Sequence, residues 1–321
     1  MTRRDWIASS TAAVLAACTS ADESTDQIPD EPNIDGRVID AHVHIWTPDT
    51  KKYPLHSNYK KEDMNPATFT AEELFGHCRA SGVNRINLIQ MSFYYTDHSY
   101  MLDMMEEHPD NFVGTGVLPD VLDEKSQDPA EMMVELSAKR CYAFRVRGGY
   151  RRQDLEQPHW MSHPKWDKMF ETGAEHNLAL SFLMNPGDMP EVGRMCGKHP
   201  DTPVIIDHLA RIGANEPVKD EQVDELCGLS KHKNIQVKVG AFYALGDATP
   251  PYTDLLPMIE RVVDAYGPDR CMWESDCPYQ VQDPHTYDDS VALIRDHADF
   301  LSASDKEKIL VTTAETFFFK R

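Results

Sequence analysis

Positive charge is scarce in this chain. Its 321 residues carry 32 lysines and arginines against 53 aspartates and glutamates, a formal net charge of −21. No Lys/Arg run occurs, and so acidic a surface repels a phosphate backbone, which argues against nucleic-acid binding. Long apolar runs are missing too: no segment approaches the roughly 18–20 residues that span a bilayer. Cys78, Cys141, Cys196, Cys227, Cys271 and Cys277 form no CxxC pair and no zinc-knuckle spacing. Four of them fall inside apolar helix or strand patterns, so buried free thiols are expected rather than disulfides. No GxGxxG turn follows the first strand-like run, and no dinucleotide site is indicated. What remains, 41% hydrophobic and 26% charged residues, is ordinary for a globular protein.

The N-terminus is of another kind. It reads MTRRDWIASSTAAVLAAC, with Arg3 and Arg4 ahead of a short Ala-rich apolar stretch that closes on Leu15-Ala16-Ala17-Cys18. A positive start, an apolar centre and small residues before a cleavage point mark a secretory signal peptide, and paired arginines point to the twin-arginine route. Leu-Ala-Ala-Cys also resembles a bacterial lipobox, whose cysteine is lipidated after cleavage. Residues 1–17 are thus expected to be a signal peptide and Cys18 a lipid anchor, placing the protein in the cell envelope or periplasm. Any membrane contact would run through that lipid. Residues 18–36 are acidic and nearly free of apolar side chains, which reads as a flexible tether.

From residue 37 to 321 short β-rich runs alternate with helical patterns. Strands are expected at Val38–His44, Arg85–Gln90, Phe112–Leu118, Tyr142–Val146, Leu178–Leu183, Val204–Asp207, Ile235–Val239 and Arg270–Trp273. Helical stretches lie between them, among them Ala71–Ser81, Val223–Ser230 and Leu255–Tyr266, with SGVN, HPDN, HPDT, KHKN and YGPD as the joins. Eight strands alternating with helices predict a parallel sheet closed into a single (β/α)8 TIM barrel, an α/β architecture of about 250 residues. The long excursion Arg147–Pro164 after the fourth strand would sit on the C-terminal rim, where such barrels carry function.

Three motifs end strands. In His42-Val43-His44 the alternation of side chains along a strand points both imidazoles the same way, into the barrel mouth, as a metal ion or a substrate oxygen would require. Ile206-Asp207-His208-Leu209-Ala210-Arg211 closes the sixth strand, and by the same alternation either Asp207 or His208 faces the interior. Trp273-Glu274-Ser275-Asp276-Cys277-Pro278 closes the eighth, where a carboxylate beside histidines is suited to act as general base or metal ligand. Lys238, inside an apolar strand, is expected to be paired within the barrel. Trp46, Tyr53, Tyr94 and Tyr95 could stack on a ring but more often such residues pack. Met91, Met101, Met104 and Met105 read as core.

HVHIW, DHLAR and SDCP, in this order and spacing, make the chain resemble the amidohydrolase-related family of metal-dependent hydrolases. It is most similar there to the branch of sugar lactonases and pyrone-dicarboxylate lactonases. The resemblance runs from Val38 to about Phe319. It implies that His42, His44, His208 and Asp276 form the site, either binding one divalent metal ion such as zinc or working without metal. It also implies that an arginine at the end of strand four, Arg145 or Arg147, holds a small-molecule substrate; Arg211, Arg151 and Arg152 are further candidates. Binuclear relatives carry a bridging lysine or glutamate on strand four, where this chain reads Phe144-Arg145-Val146-Arg147, so a binuclear centre is not expected. Decarboxylase relatives use a histidine at the end of strand five; here LALSFLMNP has none, and His176 precedes that strand at its wrong end. Two departures stand out. Glu274 replaces a usual glycine or alanine, and would raise the pKa of Asp276 or form a structural ion pair; with Ser275 between them, Glu274 is expected to take no part in activating water. Thr313 replaces a common asparagine. The expected activity is opening of a small lactone or related cyclic ester. The alternatives are a zinc-dependent decarboxylase and a catalytically inactive envelope binding protein.

Overall fold

The structure is a computed structural model that describes residues 36–149 and 159–320. The expected signal peptide, the tether up to residue 35, Cys18, Arg151 and Arg152 lie outside the described residues. Eight parallel strands follow one another in sequence order around a single sheet. They are β1 (Val38–Val43), β2 (Val83–Ile89), β3 (Phe112–Val117), β4 (Cys141–Arg147), β5 (Ala179–Leu183), β6 (Val204–Ile206), β7 (Ile235–Gly240) and β8 (Cys271–Glu274). The helices between them are α1 (Ala71–Cys78), α2 (Ser99–Glu107), α3 (Pro129–Ser137), α4 (Pro164–His176), α5 (Met189–Lys198), α6 (Asp220–Gly228) and α7 (Leu256–Tyr266), with α8 (Tyr287–Ala292) after β8. Every expected strand is present within two residues at each end. This is the (β/α)8 barrel that the alternation predicts, and its order obeys the rule that consecutive parallel strands are joined by a helical crossover.

Local chemistry sets the helix ends. Thr70 and Glu73 form a reciprocal capping box at the start of α1. Asp128 caps α3, with Pro129 in the first turn, where its missing N–H costs nothing. The face of α1 formed by Leu74, Phe75 and Cys78 is buried, as its spacing predicts. Among the described residues no helix is long and apolar enough to cross a membrane, and all six cysteines are free thiols.

The barrel draws its ends together between β1 and β8. The His44 amide donates to the Cys277 carbonyl at 2.8 Å and the Asp276 amide to the His42 carbonyl at 3.0 Å. Asp40 clamps the same seam: one carboxylate oxygen accepts the amides of His42 and Ser275, each at 3.0 Å, and the other accepts the Tyr287 hydroxyl from α8. The first and last motifs of the chain thereby become neighbours.

The interior is not the usual stack of branched aliphatics. Asn87, Thr115, Ser181, Asp207, Lys238, Glu274 and His42 are all fully buried there. Asn87 donates to Thr115 at 2.9 Å and to the Ala41 carbonyl at 3.0 Å, and Ser181 donates to Asp207 at 2.9 Å. Buried polar groups are tolerable only when so paired. This belt forms the floor on which the site stands.

Candidate active site

His42 stands at the C-terminal end of β1, with its Nε2 3.4 Å from His44 Nε2. Asp276 brings Oδ1 to 3.5 Å from His42 Nε2 and 3.4 Å from His44 Nε2. His208 Nε2 stands 3.9 Å from Asp276 Oδ2. The four residues that the resemblance singled out therefore converge. His44, His208 and Asp276 line a cavity of about 290 Å³ with Arg145, Arg147, Arg211, Tyr243 and Tyr279, and His42 is fully buried behind them. A second cavity of about 690 Å³ adjoins it and shares Tyr59, Ser92, Val117, Arg145 and Arg147.

Two residues reach this place on strained backbone. Asp276 has φ +63°, and His208 through Arg211 have φ of +54°, +50°, +55° and +57°, a left-handed run that L-residues rarely adopt. The consequence corrects the sequence reading. Strand alternation offers either Asp207 or His208 to the interior; because the chain leaves β-geometry at His208, both face it. Asp207 points down into the belt, where Lys238 Nζ stands 3.1 Å from its Oδ1, and His208 points up at Asp276. The expected pairing of Lys238 inside the barrel is thus present.

Of the two roles expected for Glu274, the ion pair is present and the raised pKa of Asp276 is not. Glu274 Oε1 accepts the His208 amide at 2.9 Å and His208 Nδ1 at 2.6 Å, and its Oε2 lies 3.1 Å from His42 Nδ1. It belongs to the site, and the partners it ion-pairs with are histidines. Nor does it raise the pKa of Asp276. Burial works against the charge on Asp276, but His208 and then the other two histidines hold its carboxyl far below the usual range. Burial likewise opposes ionisation of Glu274, which His208 and His42 hold down at about 2. His208 responds in the opposite sense: against the effect of burial, Glu274 and Asp276 raise its pKa. Burial, then Lys238 and Arg145, push His42 down to about 4, and burial lowers His44. His42 is neutral at neutral pH.

The hydrogen-bond partners fix which ring nitrogens carry protons. His44 Nδ1 faces the Ile89 carbonyl at 3.0 Å and so carries hydrogen. His208 Nδ1 faces a carboxylate and does the same. For His42 two contacts compete: Lys238 Nζ lies 3.0 Å from Nδ1, and Arg145 Nη1 lies 2.6 Å from Nε2. A guanidinium only donates, so the shorter contact requires a bare Nε2, and Nδ1–H then turns to Glu274 while Lys238 serves Asp207. His42 and His44 therefore aim unprotonated Nε2 atoms at one point, beside an Asp276 Oδ1 that has no hydrogen-bond partner.

Such a donor set suits a divalent cation once Arg145, whose Nη1 lies 2.6 Å from His42 Nε2 and uses that lone pair, withdraws from it. Ligands about 2.0–2.1 Å from a tetrahedral zinc lie roughly 3.3–3.4 Å apart, close to the spacings between these three atoms. His44 turns its other ring nitrogen to the Ile89 carbonyl and His208 turns its own to Glu274, as metal-binding histidines do, while His42 Nδ1 lies 3.1 Å from a Glu274 Oε2 that no hydrogen bond satisfies. A second cluster, His42 Nδ1, His208 Nδ1 and Glu274, is on the opposite edge of the His42 ring, and there Lys238 already supplies the positive charge.

Tyr243 and Tyr279 carried no motif and were missed. Tyr243 follows β7, turned in by Ala241 at φ +56°, and its hydroxyl donates to Asp276 Oδ2 at 2.6 Å. Of the aromatics considered from sequence, Trp46, Tyr53 and Tyr94 are buried and bonded to Pro66, Asp103 and Thr47, while Tyr95 lines the adjoining cavity. Met91, Met101 and Met105 are core and Met104 packs against it; Met91 also lines the site cavity. His176 lies at the opposite end of the strands, in a separate cavity of about 720 Å³ that Thr313 also lines; Thr313 bonds the Pro268 carbonyl at 3.0 Å there, far from the histidines.

A family model described as amidohydrolase matches residues 39–320. An L-fucono-1,5-lactonase of Burkholderia ambifaria is 25% identical over 251 residues, spanning 75% of this chain and 80% of that protein. A 2-pyrone-4,6-dicarboxylate hydrolase of Comamonas testosteroni is 28% identical over 267 residues, spanning 80% of this chain and 81% of that one. Among solved structures, an amidohydrolase of Burkholderia multivorans with bound zinc shares the fold. Its TM-score is 0.72 at 16% identity, over 88% of this chain and 99% of that one.

Proposed function

This chain belongs to the amidohydrolase family, and from that membership we propose that it is a hydrolase opening a small lactone or related cyclic ester. The observation that carries the reading is the convergence of His42, His44 and His208 on Asp276, beside one cavity that three arginines line. Relatives named for lactone and pyrone hydrolysis support it.

Asp276 acts as general base, taking a proton from the water that attacks the lactone carbonyl. The ring oxygen leaves as the hydroxyl of the opened acid and takes up that proton. Arg145, Arg147 and Arg211 hold a carboxylate or hydroxyls of the substrate. His42 and His44, with protons committed at Nδ1, cannot donate hydrogen bonds to an oxyanion from Nε2. This favours His42, His44, His208 and Asp276 as the residues that hold one divalent ion, for which zinc is the natural candidate. Such an ion, when bound, polarises the carbonyl and lowers the pKa of water.

The decarboxylase reading gains nothing from the site, since the outer end of β5 presents Leu183 to the cavity rather than a histidine. We further propose that the chain is exported through its twin-arginine signal and lipidated at Cys18.

Lactone opening releases a proton, so a panel of aldonolactones and pyrone carboxylates read with a pH indicator tests the activity. Saturable turnover of at least one is expected. No turnover across the panel, with carbon dioxide released from aromatic carboxylates instead, overturns the reading.

A further inference from the structure

Two imidazoles in one site ordinarily need two separate acceptors to fix their protons. Here a single carboxylate faces both. Glu274 Oε1 is 2.6 Å from His208 Nδ1 and also accepts the His208 amide, which fastens the left-handed turn, while Oε2, a buried oxygen that no hydrogen bond satisfies, is 3.1 Å from His42 Nδ1, with Lys238 Nζ 3.0 Å from that same nitrogen. The side chain is fully buried and lies across Gly240 of β7, its register partner, where a Cβ would collide with the Glu274 carbonyl and Cγ. Glycine at 240 is thus what lets the carboxylate pass between the strands. Lys238, two residues earlier on β7, is 4.0 Å from Oε2 and 3.1 Å from Asp207, so the negative charge of Glu274 and Asp207 does not stand uncompensated in the barrel.

We infer that Glu274 is a positioning residue that holds the proton on Nδ1 of both His42 and His208, so that Nε2 of each ring is turned to Asp276. A chain with glycine or alanine at this position must fix its rings by other means; this one uses one acid for both.

The test is Glu274→Gln in the full chain with ¹⁵N-labelled histidine, as purified and after chelation. Glutamine keeps the shape but offers one acceptor and one donor group. Its oxygen stays with the two donors of His208, and its NH₂ faces His42 Nδ1, which must then accept. Long-range ¹H–¹⁵N correlation should show Nδ1–H on both rings in the unaltered protein and Nε2–H on His42 in the chelated variant. Affinity for zinc, read by chelator competition, should fall about 10- to 100-fold, as for other partners of ligating histidines. Turnover should fall by a similar factor with KM nearly unchanged. A bare Nδ1 on either ring of the unaltered protein overturns the inference. So does an unchanged His42 pattern in a folded, chelated variant. If the variant does not fold, the spectrum of the unaltered protein decides. The kinetic arm rests on the lactonase reading and the spectroscopic arm does not: an inactive protein with both rings protonated at Nδ1 refutes that reading and leaves this one standing.

Discussion

The hydroxyl of Tyr243 donates to Oδ2 of Asp276 across 2.6 Å, joining the loop after β7 to the loop after β8. That bond leaves Oδ1 as the carboxylate oxygen facing His42 and His44. Tyr243→Phe removes the donor and little else. A hydrogen bond to a charged group contributes about 1.5–3 kcal/mol, so turnover should fall roughly 10- to 100-fold. Steady-state kinetics check this; unchanged kcat would mean that Asp276 is aimed by its backbone alone.

Asp276→Asn should lower hydrolysis by about 100- to 10,000-fold, the usual contribution of a general base. The amide oxygen can still accept from Tyr243, so the melting curve should show a cooperative transition. Retention of near-full activity by a folded Asp276→Asn variant would place water activation elsewhere and end the mechanism proposed above.

Arg145 and Arg147 line the same cavity, yet their surroundings differ. Arg145 is almost buried and 2.6 Å from His42 Nε2, while Arg147 is exposed at the rim. Arg145→Met should lower kcat/KM by about 10- to 100-fold, the loss of a charge-assisted hydrogen bond, and Arg147→Met should act mainly on KM. Full kinetics of both variants decide; if neither changes, Arg211 is the next candidate for holding substrate.

Asp40 has its pKa raised to about 6, chiefly by burial, with hydrogen bonds from Ser275 and Tyr287 opposing the rise. The folded state thus binds this proton more tightly than the unfolded chain. Its contribution to stability is fully present below the ordinary carboxyl pKa near 3.8 and is lost as pH rises through about 6. Asp40→Asn keeps an acceptor for the two backbone amides and abolishes that loss. Relative to the unaltered protein, the variant should gain up to roughly 3 kcal/mol between pH 4 and pH 7. Urea titrations at both pH values measure the difference; no change in it with pH would show that Asp40 does not titrate in this range.

The export proposal has a direct check. Protein recovered from the native host should begin at a lipidated Cys18 and partition with membranes. Mass spectrometry finding Met1 intact would refute it.

Much of the barrel is written locally. Apolar runs of strand length, punctuated by glycine, proline and asparagine, mark all eight strands within two residues, because strand and helix periodicities are short-range properties of the chain. The same holds for His42 and His44, which face one way because they are two residues apart on a strand. Sequence could not show that Asp207 and His208 both turn inward, since that depends on a left-handed run at residues 208–211 which no glycine announces. Nor could it give Glu274, Lys238 and Tyr243 their places. Glu274 and Lys238 stand out in their segments as charges among apolar residues and Tyr243 does not, but the partners of all three are set only when β7, β8 and β1 close around one another and a carboxylate on one strand meets imidazoles from two others. Periodicity determined which way each strand faces. The meeting of charges within the barrel was decided by closure, because a buried carboxylate, ammonium or imidazole is tolerable only beside partners that arrive from distant parts of the chain.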